Sequence, residues 1–355
     1  MAYTTIDDPS AYFQNVLWTG DGSAGNAVTF DGNSDMQPDF VWSKRRDVGY
    51  GHVLKDTSRG GTSNNDVHLV SNTTAGDSTY TAYRMDFNSD GFTLDGSGDS
   101  GFQANGTSMV SWSWKANGGT TSTNTDGSTN TTVQANTDAG FSIVTFTTDG
   151  GNETYGHGLG VKPDVVLVKS RSGAGTWIFT TDVIDGSVDY LILNATNAAA
   201  DLSYGAFTSS TFQYNDNNAV TQVAYCFAEK QGYSKFGKYV GNGNVNGPFV
   251  YTGFQPAWIL LKRTDSTSGG NWHIIDNKRS ASGGANVNVY TLFPNLDAAE
   301  STGEAASTYG VDFLSNGFKI RASHSTRNAS GGSYIYMAFA ENPFTTSTGI
   351  PTTAR

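Results

Sequence analysis

Three short apolar runs, each led by a proline and closed by basic residues, recur along the chain: Pro38-Asp39-Phe40-Val41-Trp42-Ser43-Lys44-Arg45, Pro163-Asp164-Val165-Val166-Leu167-Val168-Lys169-Ser170-Arg171 and Pro256-Ala257-Trp258-Ile259-Leu260-Leu261-Lys262-Arg263. In each, the lysine stands six residues after the proline. The surrounding pattern repeats as well. Upstream lies an aromatic strand end followed by a polar glycine turn, at Trp18–Gly22, Phe146–Gly150 and Tyr239–Gly243. Downstream comes a second short strand ending on Asp56, Asp182 or Asp276, at 18, 19 and 20 residues from the proline. Each unit closes on an aromatic strand, Val110–Lys115, Val223–Glu229 or Ile335–Glu341. Large residues take every second position in these closing strands, the period of a strand with one buried face. Self-similarity at this scale predicts three copies of one β-rich unit.

Turn chemistry agrees. Units one and three share Asn88-Ser89-Asp90-Gly91-Phe92 and Leu314-Ser315-Asn316-Gly317-Phe318, and unit two keeps a vestige at Ser209–Phe212. Asp-Gly and Asn-Gly mark hairpins, because glycine accepts positive φ without steric cost. With 43 glycines and only five glutamates in 355 residues, strong helix formers are scarce. The single helical turn expected is Asn295–Glu300, echoed at Thr196–Ala200. The fold class is therefore all-β, as three antiparallel β-sandwich-like units of jelly-roll or lectin type.

The expected organisation is an N-terminal segment 1–13, module one at 14–117, a flexible linker at 118–139, module two at 140–230, module three at 231–344 packed on module two, and a tail at 345–355. The linker expectation rests on the Gly, Ser, Thr, Asn and Asp content of 117–137, too polar to bury a core. Proline-to-proline spacings of 125 and 93 residues argue against a symmetric ring.

A net charge of −11 with no basic run longer than Lys44-Arg45-Arg46 argues against nucleic-acid binding. No apolar run approaches membrane-spanning length. Cys226, the lone cysteine, reads as a small core residue. Asp86–Gly91 has the opening spacing of a calcium loop, but Ser97 stands where the bidentate glutamate belongs, so a plain hairpin is the better reading. The five histidines show no metal-ligand spacing, and Gly156–Gly160 lacks the strand-before, helix-after context of a phosphate loop. No cofactor and no catalytic residue is expected. For ligand binding, Trp177 and Trp272 beside glycine-rich loops suit sugar stacking, and Lys169, Arg171, Lys262 and Arg263 suit anionic groups, against the plainer readings that the tryptophans are core and the basic residues protect strand edges.

Several segments carry a family resemblance: the opening Met1–Phe13, Gly140–Val144, Gly156–Val161, Ala224–Glu229, Gly247–Tyr251 and Ala338–Phe344. Over nearly its whole length the chain resembles a repetitive virion protein family of tailed phages of marine bacteria. The resemblance implies a non-enzymatic tail-fibre or spike-type appendage that recognises host-surface glycan or protein, assembled in the bacterial cytoplasm and located in the virion. Tyr3, Ile6, Tyr12 and Phe13 would anchor it to other tail or capsid proteins, and appendages of this kind are commonly homotrimeric. The alternative is a capsid decoration protein or head fibre, and a third reading is a glycan depolymerase.

Overall fold

Each proline-led run forms an inner strand of an antiparallel sheet, and the same four strands build that sheet in every unit. In unit one the order is the opening strand Phe13–Thr19, the closing strand Ser108–Trp114, the proline-led strand Phe40–Arg45 and the second strand Val53–Asp56. Unit two repeats it with Phe141–Thr147, Thr221–Phe227, Val165–Ser170 and Ile178–Thr181. Unit three does so with Ser234–Val240, Ser333–Pro343, Phe254–Arg263 and His273–Asp276. The computed structural model describes residues 3–60, 67–98, 101–203, 205–216, 218–280, 286–303 and 305–352. Among these the chain is almost wholly antiparallel β, and its two α-helices, Ala306–Tyr309 and Ser325–Asn328, are single turns. Asn295–Glu300, where a helical turn was expected, is non-helical; the Asn295 side chain instead accepts from the Trp272 backbone N–H at 3.0 Å.

The proline-led runs are apolar at consecutive positions, Phe40–Trp42, Val165–Val168 and Ala257–Leu261, because both faces of these strands are buried. Val41, Val166 and Ile259 point outward, onto a smaller antiparallel sheet that covers each unit. In unit one that sheet contains the hairpin Met85–Phe87 with Phe92–Leu94. Its turn needs Gly91, at φ +89°, since a Cβ there would stand 2.0 Å from the Val28 carbonyl oxygen. The Asp90 carboxylate accepts from the Met36 N–H, so this loop is a hairpin, as its sequence favoured.

Phe40, Trp42, Val165, Leu167, Trp258 and Leu260 point the other way, into one core shared by all three units. Their closing-strand partners Trp112, Trp114, Tyr225, Phe227, Met337 and Phe339 join them there. The rings interleave: Phe40 stacks on Tyr225 with centroids 4.2 Å apart, and Trp114 meets Trp258 at 5.6 Å. The void left at the centre is about 10 Å³, lined from every unit and too small to hold water.

The three units meet in the same way. Backbone bonds at equivalent positions join them, from Asp77 N–H to the Arg171 carbonyl (2.7 Å), from Ala199 N–H to Thr264 (2.8 Å) and from Glu300 N–H to Arg46 (2.8 Å). Units one, two and three thus follow one another around an approximate threefold axis, and unit three returns to unit one. This corrects two expectations. Unit one is not tethered apart from a packed pair, and the unequal spacing does not preclude a ring, because the extra residues lie outside the four shared strands. The presumed linker is likewise ordered structure. Ser122–Asn124 and Thr131–Asn136 form a hairpin that extends the sheet of unit two. The Asp39 carboxylate holds its entry, accepting from the N–H groups of Ala116, Gly118 and Gly119 at 2.8–2.9 Å. Backbone pairing to a formed sheet edge, together with this buried carboxylate, supplies the order that the segment's own side chains cannot.

Candidate functional site

Trp177 and Trp272, the candidates for sugar stacking, are 0% and 1% exposed and so take the core alternative. Each is a peg driven into the preceding unit. The Trp177 indole N–H donates to the Val70 carbonyl of unit one, and that of Trp272 to the Ile192 carbonyl of unit two, both at 3.0 Å. Strand register puts His52 at the third such position, with its Nδ1 accepting from Trp42 and burial pushing its pKa well below the usual value. These rings cannot stack on a sugar, because the neighbouring unit already covers them.

The basic residues are occupied too. Lys44, Lys169 and Lys262 are at most 1% exposed, and burial lowers all three to about 8. Lys169 donates to the carbonyls of Thr74 and Ser170, and Lys262 to that of Arg263. Arg263 pairs locally with Asp265 at 2.7 Å. Arg171 crosses to Asp77 of unit one at 2.8 Å.

Two buried ion pairs complete these joints. Asp56 accepts from Arg59 (2.5 Å) and also from the Tyr225 hydroxyl of unit two (2.6 Å). Asp276 accepts from Arg279 (2.6 Å) and from the Trp112 indole of unit one (2.8 Å). Each arginine reaches on to a second acid, Arg59 to Asp77 and Arg279 to Glu300, which also take Arg171 and Arg46 of the following unit. At the corresponding positions unit two carries Thr181 and Ile184, and faces Met337 in place of a tyrosine or tryptophan. Register therefore makes Thr181, not Asp182, the counterpart of Asp56 and Asp276.

The N-terminal residues are part of the body. Ile6 and Phe13 are buried at 3% each, and Phe13 stacks on Phe339 with centroids 5.2 Å apart. Tyr12 packs edge-on against Tyr233, and Tyr3 donates to the Gly253 carbonyl at 2.7 Å. Met1 and Ala2 lie outside the described residues. A free anchoring tail from Tyr3 to Phe13 is thus not what the structure contains, because its apolar side chains complete the core.

Two surface features of the described residues present aromatic side chains. The first is a cleft of about 450 Å³ at the outer edge of unit two, between the strands Asp189–Ile192 and Ala200–Asp201 and the covering strand Thr211–Asn215. Tyr190 and Tyr214 line it, with Asp201, Asn215 and Asp216. Gln222 and the Asn218 N–H hold the Asp216 carboxylate, while the buried Asn215 Oδ1 has no protein donor. The second is the edge strand Phe249–Tyr251, where Phe249 and Tyr251 are 45% and 54% exposed and the Tyr251 hydroxyl meets that of Tyr3 at 3.2 Å. Tyr190, Tyr214, Phe249 and Tyr251 fall outside the repeated runs that guided the sequence reading. The one local signal was Phe-Val-Tyr, aromatic at both outer positions of an alternating strand.

His157 is buried and accepts from the Leu159 N–H, so Gly156–Gly160 is a turn. Cys226 is fully buried and its thiol pKa is pushed up. No curated protein and no solved structure matches the chain. A family model does match, over residues 8–343, which spans all three units, and the chain therefore belongs to the family described as a domain of unknown function, DUF7483.

Proposed function

We propose that the protein is a non-enzymatic structural component of a phage particle, an appendage of tail-fibre or spike type that meets the host surface through the outer edge of unit two. The observation that carries this reading is where the chain spends its reactive chemistry. The carboxylate–arginine pairs, lysines and indoles that recur in the repeats are buried in joints between units. What results is a rigid body with its recognition surface at the periphery, and the virion assignment is supported by the resemblance of its segments to phage structural proteins. Tyr190 and Tyr214 offer flat faces to a sugar ring, while Asp216, held by Gln222 and the Asn218 N–H, supplies a fixed acceptor for its hydroxyls.

The test is binding of the purified protein to host cells. Tyr190→Ala should lower it severalfold with Tm unchanged, and undiminished binding overturns the cleft as the recognition surface. Host polysaccharide incubated with the protein should keep its chain length; shortening would turn the reading to a depolymerase acting through Asp201 and Asp216.

The exposed aromatic edge at Phe249 and Tyr251 favours a second reading, a capsid decoration protein that uses this strand to grip the shell. Cryo-EM of the particle separates the two. Density on the tail supports the appendage, and density on the head supports decoration.

A further inference from the structure

Among the described residues, unit two carries a group of carboxylates with no counterpart in its sister units. Asp189 and Asp201 stand directly opposite each other on the paired strands Asp189–Ile192 and Ala200–Asp201. The corresponding cross-strand pair in unit one is Val67 opposite Thr79. Like charges in this position repel. Asp185 approaches from the preceding turn, and ligand-capable oxygens of the three residues lie within 4.8 Å of one another. Calcium–oxygen bonds of about 2.4 Å place ligands on opposite sides of the ion about 4.8 Å apart, so the cluster has the span of a calcium shell.

A second, independent observation points into the same space. Asp189 is only 3% exposed, and its Oδ2 is buried with no hydrogen-bond partner. A buried carboxylate oxygen without a donor is costly unless a cation or a proton meets it. Asp185 is already oriented, with Oδ1 accepting from the Ser187 N–H (2.9 Å) and hydroxyl (2.6 Å).

We propose that Asp185, Asp189 and Asp201 form a calcium site that fastens the outer edge of unit two beside its contact with unit three. Three carboxylate ligands leave the other positions of a six- to eight-coordinate ion to water, which implies a site of modest affinity. Its place explains its presence in this unit alone. The joint between units two and three has Thr181 and Ile184 where the other joints have a buried Asp–Arg pair, and beside the Trp272 indole on Ile192 it carries Ala199 N–H to Thr264 and the Lys238 ammonium on the Ile184 carbonyl (2.6 Å). The ion would stiffen both the turn bearing Ile184 and the strand adjoining Ala199.

Without the ion, burial and the neighbouring carboxylates of Asp185 and Asp201 hold the Asp189 carboxyl up at about 6. The Ser187 hydrogen bonds, and after them the Lys238 ammonium, lower Asp185, and the Lys162–Asp182 pair lies at the foot of the same turn.

The experiment is thermal unfolding of the full chain, stripped with EDTA, in increasing CaCl2 at constant ionic strength. A saturable rise in Tm of about 3 °C or more at 10 mM is expected at pH 7.5. Asp189→Asn and Asp201→Asn should each remove the response while matching or exceeding the Tm of the calcium-free parent, since each relieves repulsion. Asp216→Asn, outside the cluster, should keep it. No saturable rise, a full response in Asp189→Asn, or an equal response to MgCl2 would each overturn the calcium assignment.

Discussion

The side chains that look most available for recognition are the ones the fold consumes first. Replacing Trp177 or Trp272 by Ala should cost about 3–5 kcal/mol of stability, through lost core volume and an orphaned carbonyl across the joint. Urea unfolding at pH 7.5 measures this, and an unchanged midpoint would return both residues to the surface. The three lysines make a pH prediction. In the unfolded chain they titrate near 10.5, and in the folded protein near 8, because burial penalises the ammonium. Below pH 8 they are protonated in both states and the penalty is felt in full. Above it the folded state has released protons that the unfolded state keeps, so stability rises. Unfolding free energy should be about 1–3 kcal/mol higher at pH 9 than at pH 7.5; a fall over that interval contradicts the burial of these groups. The sequence showed that Trp177 and Trp272 are equivalent, and that Lys44, Lys169 and Lys262 are. It could not show what covers them, because a tryptophan beside a glycine-rich loop reads the same whether that loop is free or capped by residues a hundred positions away.

At the scale of elements, strand identity was legible wherever apolar residues ran together, and the hairpin at Asp90-Gly91 was legible from its turn chemistry. The hairpin of Ser122–Asn124 and Thr131–Asn136 was not, since its order comes from its partner strand Phe141–Thr147 and from Asp39. Asp39→Ala should leave the backbone N–H groups of Ala116 and Gly118, at the entry to this hairpin, without an acceptor, and that of Gly119 with Gln134 Oε1 alone. Limited proteolysis should then cut between 117 and 137, where the parent resists. Early cleavage there in the parent itself would restore the segment as a linker. The covering sheets follow the same rule: their strands are short, and what sets their place is the outward face of each proline-led strand.

For the whole molecule, the shared core makes the three units one cooperative body. A single unfolding transition is expected, with calorimetric and van't Hoff enthalpies in agreement. Residues 140–344 expressed alone would bare Phe141, Tyr225, Phe227 and Phe339 to water and should aggregate or unfold without a sharp transition; a stable, monomeric fragment would show the joints to unit one to be dispensable. The repeat was plain in the sequence, but the ring was hidden, because spacing counts loops while packing counts only the four strands in each unit. The uneven joints have a consequence for how such a molecule changes over time. In an assembly of three identical chains, one substitution at an interface is made three times, and its cost is tripled at a stroke. When the three copies are joined in one chain, each contact is encoded separately and the same substitution is felt once. Thr181, Ile184 and Met337 show what that permits: one joint carries other chemistry where its two neighbours carry buried charges, and the body is held together all the same.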